Sequence, residues 1–125
     1  MKTEETENGQ VELWSAAEVA RARKDIVLID VRTPQEHTLE RIRGALLMAL
    51  QEFRPDCLPG QEAKRIVLHC GSGVRSGKAA AMCLAAGIAP IAHLEGGMTA
   101  WKDAGQEYIG TDPATGAPKA MLKDR

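Results

Sequence analysis

The segment HCGSGVRS, residues 69–76, gathers a cysteine, two glycines, two serines and an arginine around one point of the chain. Cys70 is the group in it that can act as a nucleophile, and it does so as a thiolate. If the chain runs strand, loop, helix here, the amides of Gly71, Ser72, Gly73, Val74 and Arg75 are unpaired donors near a helix N-terminus, a favourable place for negative charge. Gly71 and Gly73 permit the backbone angles that let successive N–H groups converge as a nest. Arg75 adds a permanent cation, and Ser72 and Ser76 bring hydroxyls that either donate to the sulfur or satisfy the loop. Such surroundings lower a thiol from its reference pKa of about 8.5. Three readings follow: a phosphate cradle one residue short, a site sized for a single sulfur atom, or a glycine-rich turn over an inert buried thiol.

The flanking elements decide whether the loop faces a crevice. DIVLID and RIVLHC carry short aliphatic runs, Ile26–Ile29 and Ile66–Leu68, that suit strands buried on both faces. PIAHLEGG supplies a third strand, with Pro90 tolerated at its start. SAAE, Ser15–Glu18, is a capping box that opens a helix through about Arg23, and TPQE repeats the logic with Thr33, Pro34 and Glu36. The alanine-rich stretch after the loop reads as a helix from near Arg75 or Ser76 to a C-cap at Gly87. GMTAWKDAG gives another, stopped by Gly105. Alternating strands and helices predict an α/β fold, a three-layer α/β/α arrangement with a central parallel sheet of about five strands. Ligands in such sheets bind outside the carboxyl ends of the strands, where Asp30, Cys70 and Glu95–Gly97 fall.

The remaining polar residues carry plainer expectations. Asp30 and Arg32 are expected to tie loops together, and Glu36 to act as a cap. Alternation turns the His69 side chain away from that of Cys70. His93 reads as a satisfied, partly buried side chain and Trp101 as core. Cys57, in a loop, and Cys83, mid-helix, read as inert.

The 125 residues suit one domain, with residues 1–10 a flexible polar tail, 11–106 the folded domain and 107–125 a Gly/Pro-dense extension that packs through Tyr108 and Ile109. A net charge of −1 offers no field for nucleic acid or an anionic membrane. Three cysteines without a C-x-x-C pair suit neither a disulfide framework nor a zinc site, and fit a reducing, cytoplasmic setting. The N-terminus does not read as a signal peptide, and no apolar run is long enough to span a bilayer.

Four segments together resemble the rhodanese-like family: LIDVRTPQE, RIRGALLM, CGSGVRS and LEGGMTAWKDAG, in the family's order over about residues 11–106. The resemblance implies a single-domain sulfurtransferase whose nucleophile, Cys70, holds a persulfide cradled by Gly71, Ser72, Gly73, Val74, Arg75 and Ser76. It implies a small sulfur donor such as thiosulfate or a persulfide, a thiol or cyanide acceptor, and neither metal nor cofactor. The tyrosine phosphatases, and cell-cycle phosphatases on the rhodanese fold, are similar but place five residues between cysteine and arginine. Here there are four, Gly71 to Val74, a tighter ring suited to one sulfur. Arg41 and Arg43 stand where the family usually has His and Pro, and a single loop cation leaves the donor open. A phosphatase or arsenate reductase using the same thiolate, and a non-catalytic binding module, remain the alternatives.

Overall fold

In the computed structural model, which describes residues 1–122, both capping boxes form. Ser15 and Glu18 exchange side-chain-to-backbone bonds at the head of α1, Ala16–Arg21, and Thr33 and Glu36 do so at α2, Pro34–Leu39. The aliphatic runs become β3, Ile26–Asp30, and β5, Arg65–His69, and the third predicted strand becomes β6, Ala92–Leu94. The alanine-rich helix is α3, Val74–Ala85, and the last helix is α4, Gly97–Asp103.

Four further strands have a weaker sequence signal: β1, Lys2–Thr6; β2, Gly9–Trp14; the two-residue β4, Leu46–Leu47; and β7, Tyr108–Thr111. A fifth, β8, Pro118–Met121, forms a separate antiparallel hairpin with β7. The main sheet runs β1-β2-β6-β5-β3-β4. Its strands from β2 to β4 are parallel, and β1 joins antiparallel at the edge.

Alternation along the strands divides the core. Ile26, Leu28, Val67, Ala92 and Leu94 pack with Val19, Met98 and Trp101 on the face that carries α1 and α4. Ile29, Ile66, Leu68, Cys70 and Ile91 pack with Ala79, Ala80 and Cys83 of α3 on the other. Alanines on α3 let that helix sit close to the sheet, and it is the element that follows the cysteine loop. The three layers expected from the alternation are present.

The N-terminal end of the chain differs from expectation. Residues 2–6 are not a flexible tail but β1, laddered to β2 from Lys2↔Leu13 to Thr6↔Gly9. The polar composition correctly signals exposure, since this strand is almost wholly exposed. Exposure is nevertheless compatible with order where main-chain bonds and a cross-strand Gln10–Glu5 contact of 2.6 Å supply the partners. Toward the C-terminus, Ile109 exchanges two 2.8 Å main-chain bonds with Arg41, and Tyr108 and Ile109 are buried. The Gly/Pro-dense stretch is therefore a docked hairpin, although residues 123–125 of the expected extension lie outside the described ones.

Candidate active site

Cys70 directly follows β5, and Gly73, at φ 109°, is the N-cap of α3. That left-handed angle is inaccessible to most side chains, and it turns the Gly73 amide back onto the cysteine, 3.0 Å from Sγ. The Ser76 hydroxyl lies 3.5 Å from the same sulfur. Burial pushes the Cys70 thiol up. The Ser76 hydroxyl and the amides of Ser76, Gly73 and Ser72 outweigh it and hold the thiol below its ordinary value. Cys83 has the burial without the donors, and its thiol rises to about 11. That contrast isolates the loop as the cause. Gly71 has an ordinary backbone angle, so the converging nest rests on Gly73; a side chain at Gly71 would instead press on the Arg75 guanidinium, 3.3 Å from its Cβ.

The loop is fixed from behind by α4. The amide of Met98 donates to the Cys70 carbonyl at 2.8 Å and that of Thr99 to the Gly71 carbonyl at 3.1 Å. This approach requires Gly97, whose added Cβ would stand 2.4 Å from the Cys70 carbonyl oxygen. The LEGG segment thus acts on the site by holding the floor of the cysteine loop rather than by offering a side chain.

Arg75 has a carboxylate partner, and its charge also interacts with Cys70. Its guanidinium grips the Glu36 carboxylate in a two-pronged pair, 2.6 and 3.0 Å, and this holds the Glu36 carboxyl down at about 2. Glu36 therefore does more than the expected capping: it caps α2 and ties that helix to the cysteine loop. The sequence hint was indirect, since β3 and β5 are neighbours and the loops that follow them must emerge side by side. A cavity of about 260 Å³ opens next to Arg75, lined by Val31, Thr33, Pro34, Leu50 and Glu52 among others.

The acidic residue at the end of β3 is held within a cluster of its own. Asp30 is fully buried, takes the Arg32 guanidinium at 2.9–3.2 Å, and meets His37 Nδ1 at 2.9 Å. Arg32 in turn reaches the Glu40 carbonyl at 2.6 Å, so the pair ties down α2 as expected. His69 faces this cluster from the opposite side of the sheet to Cys70, and burial drives its imidazole down to about 4. Trp101 is buried core, its indole N–H bonded to the Glu107 carbonyl at 3.0 Å.

His93 was expected merely to be satisfied. Its partner is informative: Nδ1 lies 2.8 Å from the Ser76 hydroxyl that touches Cys70. The register places His93 opposite Leu68, two residues before Cys70 and on the same face, so the imidazole points under α3. Among the described residues no cluster of His, Cys, Asp and Glu could hold a metal ion, and no helix is long and apolar enough to cross a membrane.

Known proteins resemble this chain in sequence and in fold. An uncharacterized protein of Synechocystis, slr1261, is 42% identical over 94 residues, covering 75% of this chain and 52% of its own length. A sulfurtransferase of Allochromatium vinosum is 35% identical over 80 residues, covering 62% of this chain and 73% of its own. Among solved structures, a rhodanese-related protein of Thermoplasma volcanium superposes with a TM-score of 0.71 at 24% identity, over 78% of this chain and 97% of its own. A Rhodopseudomonas palustris protein described as a possible tyrosine phosphatase gives 0.66 at 33% identity, over 77% of this chain and 83% of its own. The chain spans about half of the Synechocystis relative and less than a third of a tRNA uridine(34) hydroxylase from Cytophaga hutchinsonii that it also matches. The model of the rhodanese-like domain matches residues 15–104, from the cap of α1 to the end of α4, and the chain belongs to that family.

Proposed function

We propose that the chain is a sulfurtransferase that moves a sulfane sulfur from thiosulfate or a persulfide donor to a thiol or cyanide acceptor through a persulfide on Cys70. The observation that carries this reading is the Gly73 amide aimed at Sγ within a loop of four residues between Cys70 and Arg75. In the first half-reaction the Cys70 thiolate attacks the outer sulfur of thiosulfate. A new S–S bond forms, the old one breaks, and sulfite leaves with its electron pair. In the second, the acceptor attacks the outer sulfur of the persulfide, and the Cys70 thiolate departs. Both halves begin and end with an anion on sulfur, so donors that are already in place stabilise every stage. Cys70 is 1% exposed, which confines approach to the axis of the loop. The transferable sulfur stands one S–S bond, about 2.05 Å, further out.

In this reading Gly71, Ser72, Gly73, Val74 and Ser76 cradle the sulfur by their position in the loop. Arg75, paired with Glu36, remains a cation that orders the rim, acts on Cys70 by its charge and lines the adjoining cavity, a subsite for donor or acceptor. The setting is expected to be cytoplasmic, where reduced thiols are abundant. One relative's description as a possible tyrosine phosphatase makes phosphate transfer the rival. Turnover of thiosulfate with cyanide, set against hydrolysis of p-nitrophenyl phosphate, separates them. Sulfur transfer is expected to dominate, and a dominant phosphatase rate would overturn the proposal.

A further inference from the structure

Cys70, Ser76 and His93 form a continuous polar line through an otherwise apolar layer: Sγ to Oγ at 3.5 Å, then Oγ to Nδ1 at 2.8 Å. All three residues are buried, at 1%, 0% and 7% exposure. The axis of the loop is one way out for the thiol proton, and this line, leading away beneath α3, is a second. At its far end the imidazole belongs to a residue that keeps 7% exposure, so the line is not wholly sealed. On α3 the ring faces Gly77, where an added Cβ would come into ordinary van der Waals contact, 3.7 Å from Cε1.

We propose that His93 is a positioning residue that acts on Cys70 through Ser76, by setting the direction in which the serine hydroxyl points. The hydroxyl has one proton and faces three acceptors: the Cys70 sulfur, His93 Nδ1 and, at 3.4 Å, the Gly73 carbonyl. With Cys70 protonated, S–H donates to Ser76 Oγ, the hydroxyl donates to Nδ1, and His93 carries its proton on Nε2. Ionisation reverses the line. The S–H bond breaks as Oγ takes that proton, the former hydroxyl proton passes to Nδ1, and Nε2 releases its own to water. The thiol has then lost one proton to solvent, and His93 is neutral before and after. In the second state Nδ1–H donates to Oγ, so the hydroxyl has no competing acceptor on that side and donates to the thiolate.

The groups facing the imidazole fit this role. Burial holds it below its ordinary value, which keeps it neutral at physiological pH, while the negative charges of Glu4 on β1 and Glu95 after β6 oppose the shift. Ser76 on α3 and, through it, Cys70 on β5 complete its surroundings. The inference rests on the reading of Cys70 as nucleophile but not on sulfur as cargo.

The test uses the whole chain labelled with ¹⁵N at histidine. As pH rises through the Cys70 ionisation, the proton on His93 is expected to move from Nε2 to Nδ1, and the switch should vanish in Cys70→Ala. Iodoacetamide alkylation against pH provides the second readout. His93→Leu, which leaves the hydroxyl without its orienting partner, should raise the midpoint by about one pH unit and slow alkylation near neutrality roughly tenfold, the size expected for weakening one bond to an anion. His93→Asn, whose amide can still donate to Oγ, should recover most of that loss. A tautomer that stays fixed through the thiol titration, or a His93→Leu midpoint equal to wild type, would overturn the proposal. Neither readout requires sulfur transfer. A wild-type chain that shows the switch but accepts no sulfur would refute the functional reading and leave this one standing.

Discussion

Cys70→Ser is expected to abolish sulfur transfer, by on the order of 10⁴-fold or more, while leaving the melting temperature close to wild type. The two side chains are nearly the same size, and the surroundings that receive them, the Gly73 amide and the Ser76 hydroxyl, serve an oxygen as well as a sulfur. What is lost is ionisation. An alcohol stays protonated under conditions where this loop favours ionisation of a thiol, and a hydroxyl cannot store sulfur as a persulfide. Turnover with thiosulfate and cyanide, with a thermal melt on the same sample, checks both halves. Activity surviving in a folded Cys70→Ser chain would place the chemistry on another thiol. Cys57, which is exposed, would be examined before Cys83, which burial keeps protonated.

Gly97→Ala should produce the second large effect without touching the nucleophile. The new Cβ would lie 2.4 Å from the Cys70 carbonyl oxygen and 2.7 Å from the Gly71 carbonyl carbon, and both are main-chain atoms that cannot rotate aside. Gly97 also sits at φ 57°, in the left-handed region, where a side chain adds about 1–2 kcal/mol of strain. Overpacking of this kind costs a further ~1–3 kcal/mol. A stability loss of about 2–5 kcal/mol corresponds, for a domain of this size, to a fall in melting temperature of roughly 10–20 °C. The relief available to the chain is to move α4 away from the loop, breaking the Met98 and Thr99 bonds that pin it. The alkylation midpoint of whatever protein remains folded is therefore expected to rise as well. A variant as stable and as reactive as wild type would show that α4 does not hold the loop.

Parts of the molecule that depend on local chemistry were legible before any coordinates. The two capping boxes, the aliphatic strands β3 and β5, and the loop joining β5 to α3 are each specified by residues within a few positions of one another. β1 and β2 were not, because their partners come from chain pairing and their composition is polar. The same distinction holds in the site. The Gly73 donor follows from a glycine before a helix, but the Arg75–Glu36 and Ser76–His93 contacts join residues 39 and 17 positions apart. They exist because β3, β5 and β6 are adjacent, a fact of strand order that local patterns leave open. Arg75 illustrates the consequence. A cation near a cysteine in sequence was expected to serve the sulfur, and the sheet adds a carboxylate that shares it, a partner no local motif announces.

The most direct measurement is the intact mass of the wild-type chain after exposure to thiosulfate, followed by fragmentation to locate any change. Gain of one sulfur atom, carried by Cys70 and removed by cyanide, is the predicted result. An unmodified Cys70 in folded protein, or sulfur that settles on Cys57 or Cys83 instead, would contradict it.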